Sequence, residues 1–266
     1  MTQFTIALVQ MTVEGGNKSG NLSHASELVQ KAAAEADLVV LPEAMDLGWT
    51  HPSARTEASS IPDGDTCLLL RTLARENGIT LCSGLVERDG EKVFNSAVII
   101  NRHGKVLLVH RKLNELEIGH EYYDQGDRLG VCHTELGTFG LMICADGFAK
   151  DHVISRSLGY MGAEFILSPS SWAVDEDHDN EREPYGDTWR QCYIPVAKEF
   201  GIWFVGVSNV GPITGGPWKG RKCIGCSLVI DPQGDEILQG PYGVHAETIL
   251  YVDVETPRRP ARGSGS

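Results

Sequence analysis

Short, unbroken apolar runs alternate along this chain with stretches whose apolar residues recur at helical spacing, and that alternation limits the fold to a layered α/β form. Residues 5–11 read as a strand. Leu22, Ala25, Leu28, Val29 and Ala32 share one face of a helix over about 19–35. Residues 37–41 form a continuous apolar run stopped at Pro42, the pattern of a strand buried on both faces. A helix over 65–77 stops at Asn77-Gly78. Strands at 79–87, 93–101 and 106–110 follow, turning at Asp89-Gly90 and His103-Gly104.

The second half repeats the theme. Residues 141–143 read as a strand ending at Cys144, and a helix covers about 149–161. Another buried strand, 164–167, runs into Ser168-Pro169, and a helix at 187–200 precedes a strand at 203–207. Strands at 227–231 and 249–252 close the pattern. Helix alternation mixed with hairpins predicts mixed sheets, not a purely parallel one. With no linker-like stretch, residues 1–262 read as one domain and 263–266, Gly-Ser-Gly-Ser, as a disordered tail or cloning remnant.

Composition narrows the function. A formal charge of −13 without a Lys/Arg stripe argues against nucleic acid as a partner. The basic cluster Arg258, Arg259 and Arg262 reads as a solvated tail or a contact with a partner chain. No segment approaches the roughly 18 apolar residues that span a bilayer, and the N-terminus has no basic-then-apolar leader, so no membrane is expected. Seven cysteines without framework spacing then point to a cytoplasmic location.

Three polar residues share one setting: Glu43, Lys112 and Cys144 each follow an apolar run. In α/β folds, strand ends are where side chains converge on a crevice. Each alone has an ordinary alternative, a solvated edge charge for Glu43 or Lys112 and a buried small hydrophobe for Cys144. Together, their surroundings carry a resemblance. Asp-Leu-Val-Val-Leu-Pro-Glu (37–43), His-Arg-Lys-Leu (110–113) and Gly-Leu-Met-Ile-Cys-Ala-Asp (140–146) resemble the nitrilase, or carbon–nitrogen hydrolase, superfamily. So do Gly162-Ala163-Glu164 leading to Ser168-Pro169-Ser170, and Ser-Leu-Val-Ile-Asp-Pro-Gln-Gly at 227–234. The blocks stand in family order from near residue 5 to near 254.

The resemblance implies an αββα sandwich that pairs into a homodimer or higher homo-oligomer, and a thiol hydrolase of non-peptide carbon–nitrogen bonds that needs no metal or cofactor. In that scheme Cys144 is the nucleophile and Glu43 the proton carrier. Lys112 stabilises the oxyanion together with the Ala145 N–H. Such chemistry suits these residue types, because a covalent thioester splits one high barrier into two and a nearby ammonium and carboxylate activate the thiol. A second glutamate, in a Glu-x-x-x-x-Gly stretch, supports the lysine in this family. Glu121 fits that spacing, with Glu115 and Glu117 as rivals in the same loop.

Many amidases and carbamoylases of the family continue after the cysteine with Tyr-Asp-x-Arg-Phe-Pro-Glu, and nitrilases proper with Trp-Glu. Here the chain reads Ala145-Asp146-Gly147-Phe148-Ala149-Lys150-Asp151, without the Arg or the Pro. A small-molecule amide is therefore expected over a nitrile, with an N-carbamoyl amine as the alternative and a non-catalytic relative as a different class. Trp49 and Trp172 lie on segments that in this family face the substrate, and core packing is the equal alternative for each. The acidic stretch 175–187 reads as a solvated loop, with a lid as the alternative.

Other candidates are set aside. Cys223-Ile-Gly-Cys226 lacks further ligands for zinc and runs into a strand, so structural cysteines are expected. Gly206 to Gly211 has one residue too many for a nucleophile elbow. His110, His120, His133 and His152 could partner Cys144 only in a papain-like arrangement that their spacing does not favour.

Overall fold

The computed structural model describes residues 2–257. Its first half comprises β1 (Gln3–Gln10), α1 (Lys18–Ala32), β2 (Leu38–Val40), α2 (Ala54–Glu57), α3 (Asp65–Asn77), β3 (Thr80–Asp89), β4 (Lys92–Ile100) and β5 (Val106–Arg111). The hairpin β6 (Val131–Thr134) and β7 (Gly137–Leu141) opens the second half, followed by α4 (Val153–Met161), β8 (Phe165–Ser170), β9 (Ala173–Val174) and α5 (Gly186–Phe200). Then come β10 (Trp203–Ser208), β11 (Val210–Pro212), β12 (Lys222–Ile224), β13 (Leu228–Ile230), β14 (Glu236–Gln239) and β15 (Thr248–Glu255).

The long strands sort into two six-stranded sheets, β15-β1-β2-β3-β4-β5 and β14-β13-β10-β8-β7-β6, beside a small sheet β11-β12-β9. Both large sheets are mixed and share one pattern. Two adjacent parallel pairs, β1–β2–β3 and β7–β8–β10, are flanked on both sides by antiparallel neighbours.

Period-2 side-chain alternation explains why the strands read as continuous apolar runs. In β1, Ile6 and Leu8 face the second sheet, while Ala7 and Val9 face helices; Leu38 and Val40 alternate in the same way with Val39. Between the sheets Phe4 packs edge-on against Phe165, ring centroids 5.2 Å apart, and Phe165 stacks on Phe139 at 5.1 Å. Helices α1 and α3 close the outer face of the first sheet through Ala25, Leu28, Leu70 and Leu73. Ile154 and Leu158 of α4 with Val196 of α5 close the second. The result is the αββα sandwich. Among the described residues no helix is long and apolar enough to cross a membrane. The basic tail and 263–266 lie outside the described residues.

Several boundaries differ from the expectation. The hairpin β6–β7 was not anticipated, and the strand expected at 141–143 belongs to its end: β7 leaves the ladder at Leu141, before Cys144. The helix expected from 149 begins only at Val153, because Asp151 (φ 56°) and His152 (φ 53°) are left-handed and interrupt it. The stop at Asn77-Gly78 is as expected: Gly78 closes α3 in the left-handed region (φ 67°).

Gly84 of β3 leaves room for the segment that follows β2. A Cβ there would lie 2.5 Å from the Glu43 Cα and 2.8 Å from the Pro42 carbonyl oxygen. Backbone atoms cannot swing aside as a side chain can. Gly84→Ala should therefore cost about 1–3 kcal/mol in urea denaturation and displace Glu43; wild-type stability would show that this approach is not tight.

Candidate active site

The C-terminal ends of parallel strands from both sheets meet at one crevice. Glu43 lies three residues past β2, and its N–H donates to the Ser170 carbonyl, at the end of β8, at 3.3 Å. The Ser171 hydroxyl donates back to the Glu43 carbonyl at 3.3 Å. Lys112 directly follows β5, its N–H bonded to the Asn95 carbonyl at 2.9 Å. Cys144 follows β7 by three residues. Glu43, Lys112 and Cys144, far apart in the chain, line a single cavity.

Lys112 is the hub. Its buried Nζ donates to Glu43 Oε1 at 2.8 Å and to Glu115 Oε1 at 2.9 Å, and the side chains of all three are at most 3 % exposed. Asn95 Nδ2 donates to Glu43 Oε1 at 2.7 Å and to Glu115 Oε2 at 3.0 Å, linking the two carboxylates from β4. A buried charge persists only with partners. Burial alone would lower the Lys112 pKa, but Glu115, Glu43 and the nearby Cys144 drive it well above the ordinary lysine value. Burial raises the Glu43 pKa, and Lys112 only partly opposes it. Glu43 Oε2 is buried without a hydrogen-bond partner among the described residues.

Cys144 is half-buried and adopts φ 42°, a left-handed conformation rare for a residue with a side chain and typical of strained functional turns. It opens a 3₁₀ turn, 144–148, whose first amides lack carbonyl partners within the turn. Burial pushes its thiol pKa well up; Glu43 adds to this, while Lys112 and the Ser171 N–H, bonded to the sulfur, pull it down. Burial thus opposes ionisation of the thiol, and the ammonium favours it.

Asp146 fixes this turn against the lysine strand. One carboxylate oxygen accepts the Leu113 and Asn114 N–H groups at 3.1 and 2.8 Å. The other accepts the Ile143 N–H at 2.9 Å and bonds His110 Nε2 at 2.7 Å. Asn114 Nδ2 also donates to the Ala145 carbonyl at 2.6 Å. His110 is thus tied to Asp146. A further buried carboxylate, Asp46, pushed up to about 6 by burial, accepts the Leu47 and Val86 N–H groups at 3.0 and 3.1 Å. That anchors the segment carrying Trp49.

Two sequence expectations need correction. Glu121 and Glu117 are exposed, and Glu115 is the glutamate that touches Lys112. The reason is the chain's path: the Asp146 bonds to Leu113 and Asn114 turn the loop so that Glu115, three residues on from Lys112, folds back over the ammonium. Trp172 does not line the cavity. It is fully buried in the core beneath α5, stacked on Trp189 at 4.5 Å. Ala145 and Trp49 do line it, the Lys112 ammonium sitting 5.5 Å from the Trp49 ring centroid. Sequence reading missed Asn95, Gly84, Phe148, Trp189 and Trp218. A β-strand Asn opposite the lysine strand was the one available signal, and only for Asn95.

The remaining candidates have structural places. Cys223 lies in β12 and Cys226 just before β13, both buried free thiols. Among the described residues no three His, Cys, Asp or Glu side chains are grouped to hold a metal ion. Ser208 is buried, its hydroxyl accepting the Trp172 N–H at 2.8 Å. Of the acidic stretch, Tyr185 reaches the cavity wall.

The carbon-nitrogen hydrolase family model matches residues 5–259. A nitrilase of Pyrococcus abyssi is 30% identical over 237 residues, covering 86% of this chain and 82% of its own. The omega-amidase NIT2 of Mus musculus is 31% identical over 271 residues, covering 96% and 90%. Among solved structures, a carbon-nitrogen hydrolase from Helicobacter pylori G27 superposes with a TM-score of 0.81 at 23% identity, covering 96% of this chain and 90% of that one. A nitrilase-superfamily amidase from Nesterenkonia AN1 gives 0.79 at 22%, covering 94% and 90%; at these identities the two structures speak to the fold. Sequence match over nearly the whole chain, the shared fold and the convergent strand ends lead to one conclusion: this chain belongs to the carbon–nitrogen hydrolase, or nitrilase, superfamily.

Proposed function

We propose that the protein hydrolyses the carbon–nitrogen bond of a small linear amide through an acyl-thioester on Cys144. The observation that carries this reading is a half-buried thiol under the influence of both a buried ammonium and a carboxylate with one free oxygen. Glu43 takes the Sγ proton as the sulfur attacks the amide carbon. Lys112 Nζ and the Ala145 N–H hold the developing oxyanion in a site shielded from water. The tetrahedral centre collapses as Glu43 passes the proton to the leaving nitrogen, and ammonia departs. Glu43 then deprotonates a water that attacks the thioester, releasing the acid and restoring the thiol. Glu115 and Asn95 keep Lys112 and Glu43 in place; they position the reacting groups. The similarity to an omega-amidase supports an amide as substrate.

A panel of amides, N-carbamoyl amines and nitriles, followed by ammonia release and intact mass, tests the reading. Cys144→Ala should abolish turnover and the acyl adduct while the protein still folds; retained turnover would sink the assignment. Glu115→Gln should lower kcat by about 10-fold or more, since small misplacements of a reacting group cost up to about 100-fold. Glu121→Gln, at the surface, should stay within about twofold. Equal losses in the two variants would reverse the choice of glutamate.

The pH profile carries a sign. Glu43 acts as a base only when ionised, and burial raises its pKa above the ordinary 4.5. The acidic limb of kcat/KM should therefore fall off above pH 4.5 as pH is lowered, and Glu43→Gln should lose that limb along with about 10²–10⁴ of the rate. A limb unchanged in the variant would assign the base elsewhere.

A further inference from the structure

Beyond the thiol, the lining of the cavity contains two charged side chains, Glu43 and Lys112. Neither is free to read a charged substrate. Lys112 is shared between Glu43 and Glu115, two carboxylates to one ammonium. The rest of the wall is largely apolar, with Trp49, Leu116, Phe148, Trp189 and Trp218, and its polar members, Ser171 and Tyr185, are uncharged. Trp49 and Trp218 meet edge to face at 4.9 Å, and Phe148 leans on Trp189 at 4.6 Å. Arg221, which packs on Trp218 at 4.2 Å, is paired with Asp175 at 2.8 Å and lines an outer groove with Asp175, Glu176 and Asp177.

Building on the amidase reading, we propose that the site selects amides with an uncharged, apolar acyl group and rejects amides that carry a free carboxylate. A carboxylate entering this cavity loses its water against aromatic side chains, finds no unpaired cation, and approaches two carboxylates already present. An uncharged acyl chain of the same shape pays none of this and gains by covering the rings. Selection is by absence of a cationic partner for the charge, which discriminates more strongly than a difference of one methylene.

The test pairs succinamate with 4-methylpentanamide, in which an isopropyl group stands where the carboxylate was. At neutral pH the neutral amide should be favoured in kcat/KM by at least about 100-fold. Equal or faster turnover of succinamate would overturn the proposal, as would turnover of other amides with none of 4-methylpentanamide. If no amide releases ammonia or leaves an acyl mass on Cys144, the amidase reading itself fails, and the specificity with it. Phe148 is 42% exposed, so Phe148→Arg can add a guanidinium to the wall without burying it fully. That variant should narrow the preference by about 10-fold or more. A preference unchanged while the neutral amide is still hydrolysed would remove the wall as the discriminating element.

Discussion

The apolar contact between the two sheets governs where the strand ends that line the crevice lie. Phe4 from the first sheet interlocks with Phe139 and Phe165 from the second, and Ile6, Leu8, Leu38, Val40, Leu141, Leu167 and Val205 fill the rest of that layer. Close packing leaves little freedom for one sheet to slide on the other. The parallel strands therefore end at fixed relative positions. Glu43 from the first sheet reaches Ser170 and Ser171 from the second because those ends are held opposite each other.

The crevice made in this way gathers charge that would be costly elsewhere. Lys112, Glu43 and Glu115 are buried together, the one ammonium hydrogen-bonded to both carboxylates. Asn95 joins the carboxylates with a neutral donor, so the group is held by hydrogen bonds as well as by charge. Asp146 performs a similar service for the thiol, tying the left-handed turn at Cys144 to the backbone after β5. Ammonium and sulfur thus sit on segments braced by one carboxylate. Such bracing is what a reaction relying on preorganised donors requires.

Much of this was legible in the chain and some was not. Residues 37–43, 110–113 and 140–146 each place a cavity-lining side chain just after an apolar run, a local pattern that survives folding because strands end where their apolar residues do. Spacing also pointed to Glu121, yet that residue is exposed, since Asp146 redirects the loop after Lys112. The hairpin β6–β7 escaped because its strands are short and partly polar, and the interruption at Asp151 and His152 because Asp and His tolerate a left-handed backbone without requiring one.

The sequence by itself pointed to the layered α/β architecture, the family, and the three residues Glu43, Lys112 and Cys144 that meet in one cavity. Periodicity and strand-end placement are properties of short segments, and short segments can be read without a fold. Tertiary structure alone decided that Glu115 holds the lysine, that Asn95 links the carboxylates, and that Trp49 faces the cavity while Trp172 lies in the core. Those arrangements rest on contacts between segments distant in the chain, such as Asn95 with Glu43 and Asp146 with Leu113 and Asn114. Their geometry follows from how two sheets pack, and no spacing within one segment encodes it.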